Sequence, residues 1–198
     1  MVHPITKRIT WFFFSRFVKS IKGLENLPPP PAIIAANHES DIDGPLIYFL
    51  ITKFTNKKVF PIVTDERAKR FGDLLIRHFG GTRVKSRAVL KSVQALCEGK
   101  YVLVFPEGQR TWTGKLEKCT ATGTGVLAIL TKAPVIPIRI KSYSFYSRHM
   151  RRPSWKKEIE IIFGKPRTFN GKIKSGWVNK ADAKKVVAKV MKQISVLK

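Results

Sequence analysis

The run Asn37-His38-Glu39-Ser40-Asp41-Ile42-Asp43-Gly44 puts four residues between a histidine and a carboxylate, in a stretch crowded with polar side chains. A carboxylate that accepts the proton of one ring nitrogen fixes the tautomer and supports the imidazolium as it forms. The other nitrogen can then act as a general base. The same residues also fit a structural loop histidine. A metal site is a weaker reading, because no third ligand stands at a diagnostic spacing. A second stretch, Gly80-Gly81-Thr82-Arg83-Val84-Lys85-Ser86-Arg87, leads into Ala88-Val89-Leu90. With Ser86 as N-cap, Arg87 falls in the first turn of a helix, where free N–H groups and a guanidinium make a phosphate cradle. A surface arginine beside a capped helix is the alternative. In the third stretch, Phe105-Pro106-Glu107-Gly108-Gln109-Arg110-Thr111, proline and glycine bracket a carboxylate and an arginine follows. Such a turn either positions a functional group or is an ordinary surface turn.

These stretches need elements to hold them. Ala32–Ala36, Val59–Val63, Tyr101–Phe105 and Val135–Ile140 are apolar, too short for helices and flanked by turn signals, which predicts buried strands. Segments near 44–54, 66–78, 87–98 and 122–131 have helical spacing and alternate with them. This alternation predicts an α/β domain with a largely parallel sheet flanked by helices, over residues 23–198. Ligands gather at the carboxyl ends of strands in such sheets, where all three stretches fall. Glu158–Phe163 alternates as a half-exposed late strand would. Asn179 is placed to cap a last helix, Lys180–Leu197, with Val186, Val187, Val190, Ile194 and Leu197 inward.

Residues 5–22 divide on a helical wheel. Ile9, Trp11, Phe13, Phe14, Phe17, Val18 and Ile21 share one face, and Arg8, Arg16, Lys19 and Lys22 the other, with Phe12 and Lys7 misplaced. Aromatics opposite basic residues predict a membrane-associating amphipathic helix over residues 1–22; packing on the domain's own core is the alternative. There is no apolar run of about eighteen residues, so a transmembrane helix is not expected. Across 198 residues, 38 Lys plus Arg face 13 Asp plus Glu, for a net charge of +25, with 43% hydrophobic residues. That composition excludes a disordered polycation. Its charge calls for an anionic partner: nucleic acid, an anionic membrane surface or a phosphorylated substrate. Two cysteines, Cys97 and Cys119, cannot build a disulfide framework and point to a reducing compartment.

Taken in order, the stretches resemble the glycerolipid acyltransferases, closest to the bacterial lysophosphatidic acid acyltransferases. His38 and Asp43 match the H-x4-D motif within Asn37-His38-x-Ser40-x-x-Asp43. Gly81 to Arg87 resembles the second motif, Phe105-Pro106-Glu107-Gly108 with Arg110 the third, and Val135-Ile136-Pro137-Ile138 the fourth. Gly23-Leu24-Glu25-Asn26-Leu27-Pro28 is similar to the family's lead-in. The resemblance implies acyl transfer from a thioester, acyl-CoA or acyl carrier protein, to the free hydroxyl of a lysophosphatidic acid in phospholipid biosynthesis, with no metal or other cofactor. His38 would be the base and Asp43 its support. Arg87 and Arg110 would hold the acceptor phosphate, with Glu107 and Gly108 shaping the acceptor site. It also implies a peripheral enzyme on the cytoplasmic face of an anionic membrane.

Two positions depart from the family's pattern. Gln109-Arg110-Thr111 replaces the usual Thr-Arg-Ser, and Thr64-Asp65-Glu66 stands where a lysine is common, which leaves room for a different lyso-lipid acceptor. A domain that binds lipid without turning it over is a further alternative, against which the intact His38/Asp43 pair argues. The rival class, a nucleic-acid-binding module, would use Arg148, Arg151, Arg152, Lys156 and Lys157 with Tyr143, Tyr146 and Trp155. No nucleic-acid motif accompanies them, so a nucleic-acid partner is not expected.

Overall fold

Ala32-Ile33-Ile34-Ala35-Ala36 has no polar residue on either face, and all five side chains are buried. It is an interior strand with a core on each side. In a computed structural model that describes residues 4–63, 82–83, 87–117, 119, 121–174 and 176–198, the chain runs through α1 (Pro4–Ser15), β1 (Val18–Lys22), a 3-10 turn (Leu24–Asn26), β2 (Ala32–Ala36), α2 (Asp43–Thr55), β3 (Val59–Val63) and β4 (Thr82–Arg83). It continues through α3 (Ala88–Cys97), β5 (Tyr101–Val104), α4 (Gly123–Thr131), β6 (Val135–Lys141) and β7 (Ile159–Phe163). The small ribbon β8 (Ile173–Lys174) with β9 (Trp177–Val178) and the helix α5 (Lys180–Val196) complete it. The expected helix near 66–78 lies outside the described residues.

Seven strands form one sheet in the order β1-β7-β6-β2-β5-β3-β4. Only the β6–β7 pairing is antiparallel. The expected α/β domain with a mostly parallel sheet is therefore what the chain forms. Strand alternation sends Ala32, Ile34 and Ala36 into one core with α1 and α2, and Ile33 and Ala35 into the other with α3, α4 and α5. Ile33 and Ile34 are completely buried, each contributing about 1.5–3 kcal/mol of burial. On the second face α4 lies close on α5: a Cβ at Gly125 would stand 2.1 Å from the Ala183 carbonyl oxygen. Asn179 caps α5 as its sequence position predicts, accepting from Ala181 N at 2.8 Å and Asp182 N at 3.3 Å.

The N-terminus departs from the expected single helix. α1 stops at Ser15, and Val18–Lys22 is an edge strand parallel to β7 with Ile21 opposite Ile161. The boundary at residue 22 therefore does not hold, since residues 18–22 belong to the domain's sheet. The physical reason is pairing. The β7 edge offers backbone donors and acceptors that a continued helix would leave unsatisfied, and Lys19 Nζ donates to Glu160 Oε1 at 3.0 Å across the pair. α1 also divides its aromatics differently from the wheel. Trp11 sets edge-on against Phe54 and Phe14 stacks on Phe49, both inward, while Ile9, Phe12 and Phe13 are at least half exposed. β7 is more buried than its alternation suggests: on the face of the partly exposed Glu160, Ile162 is buried.

Candidate active site

β2 ends at Ala36, and the next six residues turn into α2, whose first residue is Asp43. Asn37 fixes the start of this turn by imitating a strand partner. Its Nδ2 donates to the Ile140 carbonyl at 2.8 Å and its Oδ1 accepts from Ile140 N at 2.6 Å. His38 follows, 4% exposed, its ring stacked on Phe105 with centroids 4.2 Å apart. The backbone of His38 is held at both ends by the third stretch: His38 N donates to Glu107 Oε1 at 2.9 Å, and Thr111 N donates to His38 O at 2.8 Å.

Asp43 is completely buried and gathers four donors. Oδ2 accepts from His38 Nδ1 at 2.9 Å and from the backbone N–H groups of Glu39 and Ser40, both at 2.7 Å. Oδ1 accepts from Ser142 Oγ at 2.6 Å. With two backbone N–H groups already on Oδ2, that oxygen is an acceptor toward the ring as well. Nδ1 therefore carries the hydrogen, and Nε2 is the nitrogen that takes a proton. The H-x4-D spacing thus brings the His38 ring and the Asp43 carboxylate into direct contact, the arrangement that a general base with a carboxylate support requires.

Glu39, next to the histidine, closes the cluster from the other side. Its Oε2 accepts from Ser142 N at 2.9 Å and Tyr143 N at 3.0 Å, and its Oε1 accepts from Asn37 Nδ2 at 3.1 Å. Arg139 pairs with Oε1 at 3.3 Å. Burial outweighs these partners and raises the Glu39 carboxyl from its ordinary 4.5 to about 7. Burial also raises the Glu107 carboxyl. A cleft of about 360 Å³ opens beside Glu39, Arg139, Lys141 and Tyr143.

Of the residues predicted from sequence, His38, Asp43 and Glu107 meet directly. Glu107 faces inward: its second oxygen accepts from Glu117 N at 3.0 Å, so both oxygens brace backbone. Gly108 closes the turn behind it, donating to Phe105 O at 2.9 Å with φ +74°, a conformation that suits glycine. Arg110 reaches back to the first loop and pairs with Asp41 at 2.7 Å. Arg87 stands apart, exposed, at the N-cap position of α3 rather than one residue inside it. α3 follows β4, so Arg87 lies at the same end of the sheet as His38, with β5 and β3 between its strand and β2. Ser86 lies outside the described residues. Sequence reading missed Ser142 and Glu39. Ser142 is the first residue after β6, so the carboxyl end of the predicted strand Val135–Ile140 is the signal that finds it. Among the described residues no three His, Cys, Asp or Glu side chains converge as a metal site.

The Acyltransferase family model matches residues 19–141, well over half of the chain. A 1-acyl-sn-glycerol-3-phosphate acyltransferase of Chlamydomonas reinhardtii is 33% identical over 134 residues, covering 61% of this chain and 38% of that protein. A protein of the same name from Pseudomonas aeruginosa is 27% identical over 156 residues, covering 73% of this chain and 57% of its own length. The chain thus spans about half the length of these curated relatives. The crystal structure of PlsC, the 1-acyl-sn-glycerophosphate (LPA) acyltransferase from Thermotoga maritima, is similar with a TM-score of 0.67 and 26% identity, over 94% of this chain and 73% of that one. The family match begins within β1 and ends on the last residue of β6, enclosing the histidine, its carboxylate and the loop that braces them: the chain belongs to the acyltransferase family.

Proposed function

We propose that the chain moves a fatty acyl group from a thioester donor, acyl-CoA or acyl carrier protein, to the free hydroxyl of a lysophosphatidic acid in phospholipid biosynthesis. The observation that carries this reading is the Asp43 carboxylate on His38 Nδ1, which leaves proton transfer to Nε2. Nε2 takes the hydroxyl proton as the acceptor oxygen attacks the thioester carbonyl. The tetrahedral intermediate then collapses, the C–S bond breaks, and the thiolate leaves as a thiol with the proton returned by the imidazolium. A positioned base of this kind contributes about 10²–10⁴-fold in rate. No serine or cysteine nucleophile is needed, and no cofactor beyond the thioester itself. Arg87 and Arg110 are the phosphate ligands in this reading. Glu107 and Gly108 keep the acceptor side of the site in shape.

The partner surface is an anionic membrane, on its cytoplasmic side, met peripherally. Ile9, Phe12, Phe13 and Phe54 are exposed apolar side chains, and Arg16, Lys53, Lys57 and Lys58 are exposed around them. Aromatic and basic groups mixed in this way suit a headgroup layer. Among the described residues no helix is long and apolar enough to cross a membrane. Nucleic acid is not part of this reading.

A second reading, a different lyso-lipid acceptor, is favoured by the Arg110–Asp41 pair, which already occupies one of the two guanidiniums assigned to phosphate. A thiol-release assay with a panel of lyso-lipids and both donor types separates the two. Lysophosphatidic acid giving the highest kcat/KM supports the first reading, and preference for an acceptor without a terminal phosphate monoester overturns it.

A further inference from the structure

Trp155 is one of three described non-glycine residues with a left-handed backbone, at φ +59°. A bulky aromatic residue is rare there, because its Cβ crowds the following carbonyl; glycine would take the same conformation without strain. The strained backbone leaves the indole 57% exposed. Its inner edge rests on Phe17, with ring centroids 5.6 Å apart, and the half-exposed Phe13 rests on the same Phe17 ring at 5.4 Å. Trp155 therefore extends the exposed aromatic surface of α1 onto a different segment, the loop between β6 and β7. Arg151, Arg152, Lys156 and Lys157 surround it, all exposed. The one carboxylate in that stretch, Glu158, accepts a hydrogen bond from Ser154 Oγ at 3.3 Å.

The loop is firmly seated. Ser154 N donates to Phe145 O at 2.8 Å, and Glu158 N and Ile159 N donate to Phe17 O at 3.1 and 3.0 Å. Its other end is Ser142, the residue that donates to Asp43. Because β7 runs antiparallel to β6 and β1 runs parallel to β7, this loop and the α1–β1 junction leave the sheet at the end where His38 sits.

We infer that the β6–β7 loop is a second membrane-contact element, in which Trp155 enters the headgroup layer of an anionic bilayer while Arg151, Arg152, Lys156 and Lys157 meet its phosphates. An indole flanked by basic residues suits that layer, with its apolar body buried and its N–H wet. With Trp155 added, the contact reaches from Lys57 and Lys58, just ahead of β3, to the opposite end of the sheet where His38 sits, and so holds that end at the surface supplying a lipid acceptor. This inference rests on the membrane reading proposed above.

The test uses the full chain with sucrose-loaded vesicles, either pure phosphatidylcholine or phosphatidylcholine with phosphatidylglycerol. Trp155→Gly relieves the backbone strain, so its melting temperature holds or rises while its partition onto anionic vesicles falls about tenfold. Lys156→Glu with Lys157→Glu lowers that partition by at least about fivefold per residue and leaves the weak neutral-vesicle binding unchanged. Wild-type partition in both variants, with the unmodified chain sedimenting normally, overturns the inference and leaves the α1 surface as the contact. A chain that never sediments overturns the membrane reading itself. Variants that lose retention on single-stranded nucleic acid yet keep vesicle binding would assign the loop to that polymer instead.

Discussion

Asp43→Asn isolates charge from shape at the centre of the site. The backbone N–H groups of Glu39 and Ser40 both point at Oδ2, so the amide must put its oxygen there, and His38 Nδ1 remains a donor. The amide nitrogen then faces Ser142 Oγ, whose hydroxyl turns from donor to acceptor. The four contacts of residue 43 are kept and its negative charge is lost, at the added cost of a freed Ser142 hydroxyl hydrogen and a second amide hydrogen. For charges about 4 Å apart at an effective dielectric of about 20, the lost attraction is about 4 kcal/mol, or about 10³-fold in rate. The imidazolium exists only after the hydroxyl proton has moved, so the loss falls on kcat and leaves KM nearly constant. Initial rates of thiol release with saturating lyso-lipid, measured beside a thermal melt, read both quantities. Asp43→Ala serves as the contrast, because it orphans buried donors at about 1–3 kcal/mol each and lowers the melting temperature too. An Asp43→Asn enzyme within tenfold of wild-type kcat and equally stable would refute the charge argument. A variant that unfolds would refute the isosteric one.

Ser142→Ala removes the 2.6 Å donor to Asp43 from a fully buried position. It should cost about 1.5–3 kcal/mol of stability and lower kcat about tenfold, with KM for both substrates unmoved, as melts and initial rates will show. Glu39 binds a proton in the folded chain up to about pH 7, whereas an unfolded glutamate releases it near 4.5. Between those values the folded state holds the extra proton, so Glu39's contribution to stability is greatest in acid and falls as pH rises toward 7. Glu39→Gln should remove that slope from a plot of melting temperature against pH; parallel curves for the two proteins would contradict it. Arg87→Ala should raise the acceptor KM about 10- to 100-fold and leave the donor KM alone, as loss of a charge-assisted phosphate contact requires. Equal changes in both would remove Arg87 from the acceptor site.

Local pattern was enough wherever neighbours in sequence decide the outcome. Ala32–Ala36 reads as a doubly buried strand, Asn179 precedes Val186, Val187, Val190 and Ile194 at helical spacing, and the H-x4-D spacing lets one turn close His38 on Asp43. Partners distant in sequence decide the rest. Val18 and Ile21 fit a helical face as well as a strand, and only β7 settles the choice. Ser142 meets Asp43 across 99 residues, and Glu39 meets Ser142 N across 103, through the pairing of β2 with β6. The family resemblance makes Arg110 a phosphate ligand, and its bond to Asp41 exists only because the third loop folds over the first. These long-range contacts depend on strand order, which no short window of residues contains.

Proton removal by His38 is the step on which the proposed function depends. His38→Ala loses the ring, its stack on Phe105 and its bond to Asp43, but it leaves the backbone bonds from His38 to Glu107 and Thr111 and the other three donors to Asp43 in place, so the fold should persist. The decisive measurement is thiol release from an acyl thioester by that variant, with lysophosphatidic acid present and the melt recorded alongside. Release at the rate of the protein-free control, from a protein that still melts cooperatively, is the expected result. Wild-type release by the folded variant would contradict the general-base role of His38.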